Sequence, residues 1–138
     1  MRKVIIESPY AAGIGIPGLI GRWMNRRYAR ACVRDSLKRG EAPIASHLLY
    51  TQRGILKDNE SRERQLGIAA GLAWRFVADA TVVYVDRGIS SGMRYGIAAM
   101  KGTDKPVEYR TLKQKAEGFH GLPHMWPENS PEHPSYAE

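Results

Sequence analysis

A single cysteine, Cys32, excludes an internal disulfide and with it the small stapled folds of secreted proteins. Its place on the apolar side of a helical pattern marks it as a buried structural thiol rather than a nucleophile. No apolar run approaches the ~20 residues that a membrane-spanning helix needs, and Met1 to Ser8 is too short for the apolar part of a signal peptide. A soluble, cytoplasmic protein is the expectation. Cysteine and histidine nowhere recur at zinc-binding spacing, and His120, His124 and His133 are scattered among prolines, so neither a metal nor a cofactor is expected. The aromatic and glycine-rich motifs of common RNA-binding modules are missing as well. Acidic residues are in the minority, 14 against 21 lysines and arginines, for a net charge of +7. Such a balance points to an acidic partner, either a nucleotide or a nucleic acid.

What is present is 43% hydrophobic residues in 138, enough for one domain with a real core. The richest stretch runs from Gly67 to Met100 and reads as helix, buried strand, loop and helix. Ala80 to Val85 is an apolar, β-branched run between Asp79 and Asp86, the pattern of a strand covered on both faces of a parallel sheet. Behind it, Asp86-Arg87-Gly88-Ile89-Ser90-Ser91-Gly92 offers hydroxyls and open backbone at the start of the next helix, where free N–H groups favour an anion. Ser90, Ser91, Gly92 and Met93 are therefore candidate phosphate contacts. Serines there also serve as helix caps.

The segment Gly71-Leu72-Ala73-Trp74-Arg75-Phe76-Val77-Ala78-Asp79, followed by the apolar strand and Ser90-Ser91-Gly92-Met93-Arg94-Tyr95-Gly96, resembles the core of the nucleoside 2-deoxyribosyltransferase-like superfamily. That superfamily includes the deoxynucleoside-monophosphate N-glycosidases. The resemblance spans about Val4 to Tyr109 and implies a nucleotide site at the carboxyl edge of the sheet, with Gly71 and Trp74 beside the ligand. Ser90 falls on the phosphate-contacting serine of those enzymes and Gly92 on their loop glycine. Gly71 and Gly96 fall where they carry an aspartate and the nucleophilic glutamate. Retaining glycosyl chemistry needs that carboxylate, and glycine cannot replace it. The resemblance thus implies a protein that binds, carries or sequesters a nucleoside monophosphate or an ADP-ribose-like signal without glycosyl transfer. An enzyme whose acids have moved is the first alternative, with Asp86, Glu7 and Glu63 as candidates; a basic nucleic-acid-binding module is the second.

The first strand, Lys3 to Glu7, runs into Ser8-Pro9-Tyr10, which resembles the superfamily's loop over the sugar and base. Tyr10 either packs locally or faces the ligand. Residues 11–21 form a glycine-rich insert, with Ile14, Ile16, Leu19 and Ile20 suited to a mobile flap or to self-association. A helix is predicted from Arg22 to Arg39, burying Ala29, Cys32, Val33, Ser36 and Leu37. Arg26, Arg30, Arg34 and Lys38 form a basic stripe on its other side, and Arg22, Arg26 and Arg27 at its start lie near the ligand end of the sheet. Pro43 to Ser46 reads as a short strand leading to His47, either a structural histidine or a site residue. Thr51, Gln52 and Arg53 follow within reach of a ligand. The next helix, capped by Ser61 or Asn59, is expected to turn Leu66, Ala69, Ala70, Ala73, Trp74 and Val77 to the sheet. Gly67 and Gly71 each cost it about 1 kcal/mol, offset either by close packing or by room for a ligand.

Pro106 to Arg110 is the last strand. The expected architecture is a three-layer, flavodoxin-like (Rossmann-like) α/β domain over residues 1–117, with four to five parallel strands and helices on both faces. The strands Lys3 to Glu7 and Ala80 to Val85 should be adjacent at its centre. A proline-rich tail over 118–138 carries Met125 and Trp126. A homodimer or larger assembly is expected, since the superfamily often completes its sites across subunits.

Overall fold

The structure, a computed structural model, describes residues 1–114. The proline-rich tail, with Met125, Trp126 and the three histidines, lies outside the described residues. Four strands and four helices alternate: β1 (Arg2–Glu7), α1 (Gly15–Lys38), β2 (Glu41–Ile44), α2 (Ser46–Leu49), α3 (Ser61–Ala73), β3 (Ala80–Tyr84), α4 (Ser91–Met100) and β4 (Val107–Arg110). Short 3-10 turns follow α3 and β4 at Trp74–Phe76 and Leu112–Gln114. The strands form one parallel sheet in the order β2-β1-β3-β4, a flavodoxin-like arrangement with β1 and β3 at the centre.

Side-chain alternation divides the sheet into two unlike faces. On one, Val4, Ile6, Ala80, Val82 and Tyr84 pack with Tyr28 and Cys32 of α1 into the hydrophobic core. The Cys32 thiol is fully buried there, and burial pushes its pKa up to about 12, as suits an inert structural group. On the other face, Ile5, Glu7 and Thr81 look towards α3 and α4 across a cavity.

Several boundaries differ from the sequence reading for physical reasons. The glycine-rich segment is not a separate flap: from Gly15 onward it forms the first turns of α1, with Pro17 in the first turn, where its missing N–H costs nothing. No side chain caps this start, so nothing in the sequence marked it. Ile16, Leu19, Ile20 and Trp23 stand exposed on these turns. The buried face of α1 is centred on Asn25, Tyr28, Ala29, Cys32, Asp35 and Ser36, which leaves Leu37 exposed. Asp35 is tolerated inside because the Tyr84 hydroxyl donates to it at 2.8 Å and Arg39 pairs with it at 2.9 Å. Strand β2 begins at Glu41 and contains Pro43, a residue that only an edge strand accepts. Ser46 belongs instead to α2.

Helix α3 departs furthest. Leu66, Trp74 and Val77, expected against the sheet, are exposed, and the side turned inward carries Gly67, Gly71 and Leu72. Neither Ser61 nor Asn59 caps it, the N-cap being Glu60 without a side-chain bond.

A charged network closes the α1 face. Buried Glu41 accepts from Ser36 at 2.6 Å and from both terminal nitrogens of Arg110 at 2.7 and 2.8 Å. Arg110 also pairs with Glu108, which Arg2 reaches from β1. Burial opposes the charge on Glu41, but Arg110 and Ser36 outweigh it and hold the carboxyl below its ordinary range. Removing one partner of such a pair strands a buried charge. Arg110→Ala is therefore expected to cost about 3 to 5 kcal/mol in urea denaturation, whereas the double change Glu41→Gln with Arg110→Met recovers most of that loss. Equal losses in the two variants would refute this account.

Candidate functional site

Helix α4 runs antiparallel to the strands it covers, so its N-terminus lies at their carboxyl ends and its body leads back over the sheet. Gly92, Gly96 and Met100, four residues apart, share the face that lines the cavity. Eight residues of helix make this wall about 12 Å long. The cavity measures about 380 Å³ and is closed on the other sides by Ile5, Glu7 and Thr81 of the sheet, Ser46 and His47 of α2, and Gly67, Gly71 and Leu72 of α3.

At the mouth, Ser90 is the N-cap of α4: its Oγ accepts from the Met93 N–H at 3.3 Å, while the Ser90 N–H donates to Met93 Sδ at 3.4 Å. The Ser90 hydroxyl is thereby committed to the helix. Ser91 is exposed and Gly92 carries no side chain, so this first turn presents the amides of Ser91 and Gly92 and one hydroxyl to the cavity, the Met93 amide being held by Ser90. Across the mouth, the Ser8 hydroxyl and His47 Nε2 lie 2.8 Å apart, and the Tyr10 ring meets His47 edge-on at 6.3 Å. Burial pushes His47 down to about 4, which leaves it neutral across the physiological range. Pro9 is buried in the same loop. Arg26 stays outside the cavity, with its guanidinium 6.0 Å from the centre of the Tyr10 ring and 3.4 Å from its hydroxyl.

One turn further in, Glu7 lies against Gly96. A methyl group built on Gly96 would sit 2.8 Å from Cδ of Glu7 and 3.2 Å from Oε2, and closer still to Oε1. The bare α-carbon therefore makes the space in which this carboxyl rests. Glu7 has no hydrogen-bond or ion-pair partner among the described residues, and burial raises its pKa to about 7. Gly71 has a different reason: a methyl group there would meet Ser46 Oγ at 2.6 Å and Cβ at 3.0 Å, so it permits the close approach of α3 to α2. Deeper still, the Thr81 hydroxyl is fully buried without a hydrogen-bond partner among the described residues.

Of the sequence candidates, Glu7, Ser8, Tyr10, His47, Glu63, Gly71, Ser90, Ser91, Gly92, Met93 and Gly96 line one cavity. Glu63 accepts from the Lys57 N–H at 2.5 Å, which ties it to the loop before α3. Trp74 lies outside, half-exposed, with Nε1 donating to the Tyr50 hydroxyl of the cavity wall at 2.9 Å. Asp86 lies outside the lining; it accepts from the Tyr28 hydroxyl at 2.6 Å and from the Leu112 N–H at 3.0 Å, bonds that tie it to α1 and to the turn after β4. One residue escaped the sequence reading. Thr81 was hidden in a β-branched run. Asn25 had a legible signal, since an amide in mid-helix is disfavoured unless its side chain bonds elsewhere. This one donates to the carbonyls of Tyr10 and Ala11 at 3.2 and 3.3 Å and accepts from Arg87 Nε at 3.2 Å. Among the described residues no cluster of His, Cys, Asp and Glu fits a metal ion, and no helix is long and apolar enough to cross a membrane.

The raised pKa of Glu7 carries a pH signature. The unfolded chain ionises near the ordinary value of 4.5, while the native carboxyl keeps its proton to about 7. Above 4.5 the native state therefore binds more protons than the unfolded one, and stability falls with rising pH until 7. Glu7→Gln removes this cost. The variant is expected to exceed the parent by about 2 to 3 kcal/mol at about pH 8 and to match it at about pH 4 in urea unfolding; an equal difference at both pH values would rule the assignment out.

Compared with curated proteins, the chain has no match. Residues 2–110, which carry all the strands, the α-helices and the whole cavity lining described above, match the model of a family described as a domain of unknown function (DUF7768), and the chain belongs to that family.

Proposed function

We propose that the protein binds a nucleotide-type small molecule, a nucleoside monophosphate or an ADP-ribose-like compound, in the cavity between the sheet and helices α3 and α4. The observation that carries this reading is the cavity's course along α4, from free amides at the helix start to a mostly apolar interior that Ile5, Leu72, Met93 and Met100 line together with Glu7. An anion is favoured at the first turn by converging N–H donors and the helix dipole. Largely apolar matter fits the space behind it, and about 380 Å³ lies within the range of small-molecule sites. The lining's arginines, Arg64 and Arg75, are matched by Asp58 and Glu63, and Arg64 pairs with Asp58, so the preference for an anion comes from the helix start. The sequence resemblance to the nucleoside 2-deoxyribosyltransferase-like superfamily points to the same ligand class.

The second reading, an N-glycosidase with displaced acids, is favoured by one observation. Gly96 stands where that superfamily would place its glutamate, and the Glu7 carboxyl occupies the space that a side chain there would fill. A carboxyl poised near 7 is suited to general acid–base work. Free base released from deoxynucleoside monophosphates, and lost in Glu7→Gln, would establish this reading over simple binding.

Self-association is part of the proposal. Ile16, Leu19, Ile20 and Trp23 on α1, and Leu66, Phe76 and Val77 around α3, offer exposed apolar surface of the kind that interfaces cover. Light scattering at high protein concentration should give at least a dimer mass; a monomer removes this element.

Titration calorimetry against nucleoside monophosphates, cyclic nucleotides and ADP-ribose tests the binding reading. Ser91→Ala is expected to weaken the best ligand about tenfold, the loss of one charge-assisted hydrogen bond. Ser90→Ala is expected instead to lower stability by about 1 kcal/mol, the loss of a cap. No heat with any member of the panel would overturn the proposal.

A further inference from the structure

Two polar groups at the cavity have nothing to bond to among the described residues. The Glu7 carboxyl and the Thr81 hydroxyl stand on the same face of the two central strands, where Ile5 pairs with Thr81 and Glu7 lies two residues further along β1. Strand rise and strand spacing put the two positions about 8 Å apart. Thr81 is fully buried and its Oγ1 is the buried side-chain polar atom left unpartnered among the described residues. Thr81 Oγ1 is closed off even from the cavity, so the group open to a ligand is the Glu7 carboxyl, which lines the cavity without a partner among the described residues. Ile5, Met93 and Met100 surround the pair with apolar surface, and Gly96 leaves the carboxyl its space.

We propose that Glu7, in the space that Gly96 leaves, forms the recognition floor for a nitrogen heterocycle whose edge sets one hydrogen-bond donor beside one acceptor, as amidine and lactam edges do. The inference rests on the nucleotide-binding reading and adds which part of the ligand is read, by which residue and in which protonation state. The neutral acid is the form that fits: it donates from its O–H to the ring acceptor and accepts from the neighbouring N–H, whereas the carboxylate can only accept.

The surroundings favour the neutral form. Around Glu7, α2 presents His47, which burial keeps neutral. Tyr95 comes from α4, and Tyr10 and Tyr50 stand on the flanking loops. The charged members of the lining lie on the α3 side: Arg64 pairs with Asp58, Glu63 holds the Lys57 N–H, and Arg75 donates to the Leu72 carbonyl. None of these groups is placed to stabilise an ionised Glu7, whose shift comes from burial.

The experiment is calorimetric titration of the whole chain with adenosine and cytidine 5′-monophosphates between about pH 6 and pH 9, spanning the Glu7 titration. Ribose 5-phosphate, which has the phosphate but no base, is run in parallel to remove the phosphate's own titration. Relative to that control, nucleotide affinity is expected to be flat below about pH 7 and to fall about tenfold per pH unit above it. In Glu7→Gln the amide keeps one donor and one acceptor, so binding should persist and its pH dependence should vanish. Glu7→Ala should weaken binding at every pH. Nucleotides that bind no tighter than ribose 5-phosphate, or a pH profile unchanged in Glu7→Gln, would overturn the recognition floor and leave the anion site standing. If neither nucleotides nor ribose 5-phosphate bind, both readings fall together.

Discussion

The missing side chain at Gly96 is the constraint on which the cavity depends. A helix packed over a sheet ordinarily interlocks its side chains with those of the strands and leaves no room between them. Here α4 turns two glycines and two methionines towards the sheet, and the space freed at Gly96 is occupied by the end of Glu7 from the strand below. The carboxyl is thus held by exclusion rather than by a bond. Glycine inside a helix is unfavourable by about 1 kcal/mol against alanine, and an unpaired carboxyl in apolar surroundings adds to the cost. Local rules are broken twice at one place, and such places are where function is to be sought.

The two faces of the sheet show opposite treatments of polar groups. Under α1, the buried groups of Glu41, Ser36, Asp35 and Tyr84 are each bonded to a neighbour. Under α4, Glu7 and Thr81 are bonded to none among the described residues. The first face secures the fold with a satisfied network; the second keeps unused hydrogen-bonding capacity in an enclosed space. Stability and recognition are therefore separated by the thickness of one sheet.

The architecture was legible because the strands are short apolar runs bounded by polar residues, and right-handed crossovers leave few orders for them. The loop from Asp86 to Gly92 and the helix after it were legible for the same reason. Other parts were hidden by particular features. The start of α1 has no polar cap and four glycines nearby, so local signals argued against a helix there. The orientation of α3 was misjudged because its apolar residues face outward, and periodicity cannot tell an inward face from one awaiting a partner. Gly71 and Gly96 were singled out by spacing, but their neighbours, Ser46 and Glu7, come from distant parts of the chain and only three dimensions could supply them. Asp86 looked like a base because it ends a strand; its bond to Tyr28, far away in sequence, was not legible.

Asn25 has a consequence of another kind. Its amide grips the backbone just after β1 with one end and Arg87, just after β3, with the other. These segments flank the site from two strands. A helix with a two-ended side chain thus works as a crossbar that fixes the distance between the loop after β1 and the loop that leads to Ser90.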